Sequence, residues 1–216
     1  MSETQDPSTP AAPPEGAAPE KPQVRITAEP QVVPTNCLFR VDRVLHVGTL
    51  YSSDPEWAQR WFPLAAALFE AVPEIRGVRV SQDEVLITLR EVPEDWRTVA
   101  RTAGQAIRAH VQSGGPIVVE GAAEALEGDD LLRHRAQKVI DEQLNPNLAS
   151  HGGWVEIQAS EGRDLYLTMG GGCQGCGAAA MTMQQGVEAA IRNEVPEIER
   201  ILDATDHSAG TNPYYR

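Results

Sequence analysis

The run Met169-Gly170-Gly171-Gly172-Cys173-Gln174-Gly175-Cys176-Gly177-Ala178 sets two thiols, separated by two residues, in a frame of glycines. Thiols at this spacing can hold one metal ion or neighbouring irons of a cluster, and glycine, lacking Cβ, lets backbone N–H groups come close to sulfur. Three chemistries use such a pair. Structural zinc requires four nitrogen or sulfur ligands, normally from a second Cys-x-x-Cys or a pair of histidines. The remaining candidates are Cys37 and the scattered His46, His110, His134, His151 and His207, with no i, i+4 pair among them. A dithiol oxidoreductase also places Cys-x-x-Cys at a helix start, in a βαβ unit, usually with proline or a bulky residue between or beside the thiols. This chain has glycine there. An iron-sulfur cluster requires four thiolates, of which one chain offers two at this site and a two-fold dimer would offer all four.

A helix is expected to begin near Ala179, directly after the pair. Its unpaired N–H groups and the positive end of its dipole would favour an anionic cluster and the thiolate form of Cys176. A pair of merely buried thiols in a tight turn does not call for glycine before, between and after them.

The elements that must position this loop follow from periodicity. Leu131 to Leu144 reads as an amphipathic helix with Leu132, Ala136, Val139, Ile140 and Leu144 on one side, ended by Asn145-Pro146. Trp154–Gln158 and Leu165–Met169 read as a hairpin around Glu161-Gly162. After the cysteines, Met183, Val187, Ala190 and Ile191 form the inner face of a helix that stops before Pro196, and a strand follows.

The first half is a compact α+β unit without a carboxylate pair, a Ser-His arrangement or a phosphate loop. Cys37–Val41 and Val78–Arg90 are β-rich, with Val85, Ile87 and Leu89 alternating. Asp54-Pro55-Glu56 opens a helical stretch that restarts at Pro63, and Trp96, Val99, Ala100, Ala103, Ile107 and Val111 keep helical spacing from a start at Pro93. Trp57, Trp61, Phe62 and Pro63 read as core or helix-start residues. Cys37, in an apolar strand, reads as a small buried residue.

The whole chain of 216 residues, 41% hydrophobic, is long enough for two small domains. Its net charge of -13, from 18 basic and 31 acidic residues, argues against nucleic acid and anionic membranes as partners. No apolar run reaches the length of a membrane span, and the N-terminus lacks the basic and apolar regions of a signal peptide. Three cysteines do not make a disulfide scaffold, so a reducing, cytoplasmic setting is expected. Residues 1–30, with seven prolines, are expected to be a disordered tail. A second composition shift, over Ser113–Asp130, marks a flexible acidic linker at 119–130, in which Pro116–Val119 could end the first domain as a short strand.

The span from Arg133 to Asp206 resembles the NifU-type domain of Nfu iron-sulfur scaffold and carrier proteins. The resemblance rests on Leu144-Asn145-Pro146, Gly152-Gly153, Gly172-Cys173-Gln174-Gly175-Cys176 and Val195-Pro196-Glu197-Ile198. His151-Gly152-Gly153, the three glycines before Cys173 and the tail from His207 to Tyr214-Tyr215 are most similar to the NfuA-like branch. The chain departs from many NifU-type domains at His151 and Trp154, where those carry Asp. Residues 31–118 resemble the N-terminal domain of mitochondrial-type Nfu proteins through Thr35-Asn36-Cys37-Leu38-Phe39, Pro63-Leu64-Ala65, Leu68-Phe69, Gly77-Val78, Ile87-Thr88 and Asp95-Trp96.

The resemblance implies two small α/β-sandwich-like domains, 31–118 and 131–216, in an α+β chain. It implies a homodimer that holds a [4Fe-4S] cluster between subunits through Cys173 and Cys176. The cluster would be received from upstream assembly proteins and passed to apo-proteins by ligand exchange, without enzymatic turnover. The first domain is then expected to recognise clients, tethered by its linker close to the thiolates.

Overall fold

The computed structural model describes residues 23–150, 152–171 and 177–204. Alternation of apolar residues builds the first sheet. In β2 (Asn36–Val41) Cys37, Phe39 and Val41 point into one core, and in β5 (Glu84–Leu89) Val85, Ile87 and Leu89 do the same. With β1 (Ile26–Pro30), β3 (His46–Ser52) and β4 (Ile75–Gln82) they form an antiparallel sheet in the order β1-β2-β5-β4-β3.

Three helices, α1 (Pro55–Trp61), α2 (Pro63–Ala71) and α3 (Trp96–Ser113), supply the other half of that core. Asp54 caps α1 by accepting from the N–H groups of Glu56 and Trp57. Pro63 needs no donor at the first position of α2, so the chain turns at Phe62 and restarts. The helix expected from Pro93 begins instead at Trp96, after the cap Asp95, and ends at Gly114 in the left-handed region.

Two boundaries differ from the sequence reading. Residues 26–30, assigned to the disordered tail, are strand β1 on β2, with Val24 buried just before it. Pro30 is tolerated because it lies at the end of an edge strand. The segment assigned as a flexible linker is packed against α1: Val119 N–H donates to Trp61 O, Trp57 Nε1 donates to Ala125 O, and Ala122 and Leu126 are buried. Small alanines let this acidic stretch lie close while its glutamates face outward. The strand suggested at Pro116–Val119 is absent, although Ile117 O accepts from Leu64 N–H.

In the second unit α4 (Gly128–Val139) runs into a π turn (Ile140–Leu144) and then α5 (Asn145–Ala149). Asn145-Pro146 therefore does not end the helical path. The wide turn lets Asn145 N–H reach Ile140 O, and Pro146 falls in the first turn of α5, where no donor is required. The expected hairpin forms from β6 (Gly153–Glu161) and β7 (Asp164–Gly171), and α6 (Gly177–Glu194) crosses over to β8 (Arg200–Asp203), parallel to β7. The core between sheet and helices gathers Ile140, Val155, Ile157, Leu165, Leu167, Val187 and Ile191.

The first sheet turns its second face, away from α1–α3, towards β6 and α4. Asn36 Nδ2 donates to Gln158 O at 2.9 Å, Arg76 reaches Ser160 O and Glu161, and Arg79 pairs with Glu156. From α4, Arg133 lies 3.8 Å above the Tyr51 ring, and Asp130 accepts from the N–H and hydroxyl of Ser53 and the hydroxyl of Ser52. Asn36 is wholly buried, so Asn36→Ala would leave Gln158 O without its donor, at roughly 1–3 kcal/mol. Amide exchange across Glu156–Glu161 is expected to speed by about tenfold in that variant, with β7 less affected, as read by hydrogen exchange and mass spectrometry. Unchanged exchange in β6 would show that this contact does not hold the units together.

Candidate metal centre

β7 ends at Gly171 and α6 begins at Gly177. Cys173 and Cys176 lie between them, at positions outside the described residues, so the site is defined by its frame. That frame is a β7-α6-β8 unit with parallel strands, in which the thiols follow the C-terminal end of β7 and precede an 18-residue helix. The N-terminus of such a helix presents unpaired N–H groups and partial positive charge, which suits thiolates and an anionic cluster alike. The βαβ context is also the one that a dithiol oxidoreductase requires.

The frame is pinned at each side. Val187 and Ile191 seat α6 on the sheet. Arg192 Nη1 and Nη2 donate to Ile198 O and Glu199 O, fixing the turn into β8, and Arg200 pairs with Asp164 across the parallel strands. Asn145 locks β6 by a reciprocal pair: Nδ2 donates to Val155 O at 3.0 Å and Val155 N–H donates to Oδ1 at 2.9 Å. Its place in Leu-Asn-Pro was visible in the sequence, but its role was not, because its partner is ten residues away on a strand edge.

At the loop end of the hairpin Trp154 stands opposite Gly170, and Gly153 opposite Gly171. The indole occupies the space where a side chain at residue 170 would begin: a Cβ there would meet Trp154 at 2.3 Å. Gly170 is thus required by a ring.

The residues that a zinc site would have to draw on are dispersed. His46 and His134 line a cavity of about 760 Å³ between β3, residues 118–124 and α4, and burial lowers the pKa of both. His110 Nε2 contacts Pro116 O at 2.9 Å. His151 and His207 lie outside the described residues. Among the described residues no three His, Cys, Asp or Glu side chains gather as a metal site.

Cys37 sits on β2, between β1 and β5 of the first sheet, wholly buried. Burial, aided by the charge of Glu29 and partly offset by a Glu29 backbone contact, pushes its thiol up to about 11. It is therefore a neutral core residue, as the sequence suggested. In a Cys173→Ser/Cys176→Ser chain, Cys37 is expected to resist iodoacetamide at pH 8 when native and to react fully after denaturation, read by intact mass. Native labelling would contradict the packing of β2.

Among the described residues, no helix is long and apolar enough to cross a membrane. A family model of the NifU-like domain matches residues 136–202, from α4 through β8. The Fe/S biogenesis protein NfuA of Ruthia magnifica is 45% identical over 87 residues, covering 40% of this chain and 45% of that protein. The protein of the same name from Stenotrophomonas maltophilia is 47% identical over 85 residues, 38% of this chain and 42% of that one. The chain spans less than half the length of these relatives. The solution NMR structure of a NifU-like protein from Saccharomyces cerevisiae is similar at 11% identity and a TM-score of 0.40, covering 49% of this chain and 93% of that one. The Cys-x-x-Cys loop falls inside the matched span, so residues 136–202 carry a match to the NifU-like domain that includes both thiols.

Proposed function

We propose that the chain is an iron-sulfur cluster scaffold and carrier that holds a [4Fe-4S] cluster between two copies through Cys173 and Cys176 and hands it to apo-proteins. The observation that carries this reading is the position of the thiol pair, at the β7–α6 connection of a NifU-like domain whose relatives are named Fe/S biogenesis proteins.

The cluster is cargo, and the chain supplies its berth. Two thiolates per copy and four needed per cluster make the second copy part of the site. The start of α6 offsets the negative charge of the bound thiolates, and the glycines leave the sulfurs open to approach. Release is a ligand exchange in which an incoming client thiolate forms an iron-sulfur bond as one from Cys173 or Cys176 breaks. The oxidation state does not change, and no turnover is required. The first unit, docked on β6 rather than tethered, supports client recognition as a fixed surface beside the loop.

Anaerobic reconstitution with iron and sulfide, followed by visible absorption and Mössbauer spectra, tests the cargo. Cys173→Ser and Cys176→Ser are each expected to abolish loading, whereas Cys37→Ser is expected to keep it. Sedimentation of the loaded protein is expected to show a dimer, since cluster binding draws two chains together by mass action. A loaded monomer would sink the shared site. A reversible disulfide without cluster uptake would instead mark a dithiol oxidoreductase.

A further inference from the structure

From the cleft where β3, residues 118–124 and α4 meet, we infer that the junction of the two units docks a basic, apolar segment of a partner protein. The inference goes beyond the carrier reading and stands whichever cargo the thiols hold.

Both units build this cleft. Leu50 and Ala122, themselves buried, floor it, and Val118, Val119 and Ala123 extend the apolar lining. Its volume of about 760 Å³ is in the range of cavities that take a ligand or several side chains. On the first unit's wall the register of β3 against β4 shifts between His46 and Thr49, and Gly48 takes a φ of +91°, open to glycine. Within this bulge Val47 lines the cleft and is still 81% exposed. On the opposite wall the π turn brings Asp141 and Glu142 into the lining.

Charge selects the occupant. Glu120 and Glu124 stand on one side of the cleft and Asp141 and Glu142 on the other, against Lys138 as its one lysine. Among the described residues Glu142 is in an ion pair, with Lys138, and Glu120, Glu124 and Asp141 are in none. Burial holds His46 and His134 towards the neutral form, so the imidazoles do not offset these carboxylates at neutral pH.

Carboxylates gathered around a partly desolvated cleft repel one another, and a cationic side chain entering between them relieves that repulsion. The field of a chain with a net charge of -13 draws such a partner in and turns away an acidic one, a second copy of this chain included. A small polycation matches the charge but leaves Val47 and the apolar floor in water. A segment that alternates basic and apolar side chains satisfies the acids and covers the floor together.

The test uses the full chain and a fluorescein-labelled peptide of Arg-Leu-Gly repeats, read by fluorescence anisotropy, with spermine as a probe of charge alone. Glu120→Lys/Glu124→Lys is expected to weaken peptide binding at least ~10-fold and Val47→Ser at least ~3-fold. Glu91→Lys/Glu94→Lys, an equal change of charge outside the cleft, is expected to stay within ~2-fold of wild type. All five side chains are exposed, so each variant is expected to keep the circular dichroism of the wild type. Bound peptide is expected to slow amide exchange at residues 46–50 and 118–124. Equal weakening by the two charge pairs assigns the binding to net charge and overturns the inference, as does a wild type that does not bind the peptide. Spermine binding as tight as the peptide's, with Val47→Ser unchanged, assigns the cleft to a small polyamine and overturns it equally.

Discussion

A three-stranded sheet has two edges, and the one along β6 would leave a row of carbonyls unpaired beside the thiol loop. Their satisfaction organises the molecule. Val155 O is taken by Asn145, Ile157 O by Arg133, Gln158 O by Asn36 and Ser160 O by Arg76. A register shift between Ile157 and Ala159 lets the successive carbonyls of Ile157 and Gln158 both accept from side chains outside the sheet. Two of these four donors come from the first unit. The strand that frames the site is thus finished by a part of the chain that holds no recognisable chemistry of its own, and the packed segment at 119–127 keeps that part in place.

The same interface buries cationic groups, which is costly unless each is partnered. Arg79 is nearly inaccessible, and burial, together with the nearby charge of Arg133, brings its pKa down to about 10 against the opposing pull of Glu84 and Asp141. It remains a cation at neutral pH, held by Glu156 and Glu84. Arg133 is supported by the Tyr51 face, Ser160 and Ile157 O. Charges buried in this way tolerate few alternative arrangements, since a shifted register would strand a guanidinium without its acceptor. The interface therefore specifies one relative placement of the units more than it adds stability.

Much of this was legible in the residues. Period-2 alternation in Val85, Ile87 and Leu89 and helical spacing in Val187, Ala190 and Ile191 located the elements because each buries one face, which is what such patterns encode. The Cys-x-x-Cys in glycine named the candidate site before any geometry. What remained hidden depended on partners distant in sequence. Asn36 and Gln158 are separated by 122 positions, and nothing local marks either as half of a hydrogen bond. The acidic, alanine-rich segment read as a linker because composition reports solvation, whereas its packing depends on Trp57 and Trp61 offering backbone and ring surfaces of matching shape. Pro146 read as a helix stop because a regular helix would need its donor, and the π turn removed that need.

The same packing holds the elements that flank the Cys-x-x-Cys segment. A carrier that must release its cargo benefits from weak, accessible ligation, yet a loop with many conformations would lose entropy each time it bound. Anchoring both ends of the loop reduces that cost without adding ligands. Gly171 is fixed by pairing with Gly153, and α6 is fixed by Val187 and Ile191 in the core, so the described elements on both sides of the connection are held in place. On the proposed carrier reading, ligation by two thiolates per copy would stay weak enough for exchange, while the fixed strand and helix ends would hold the frame of the site.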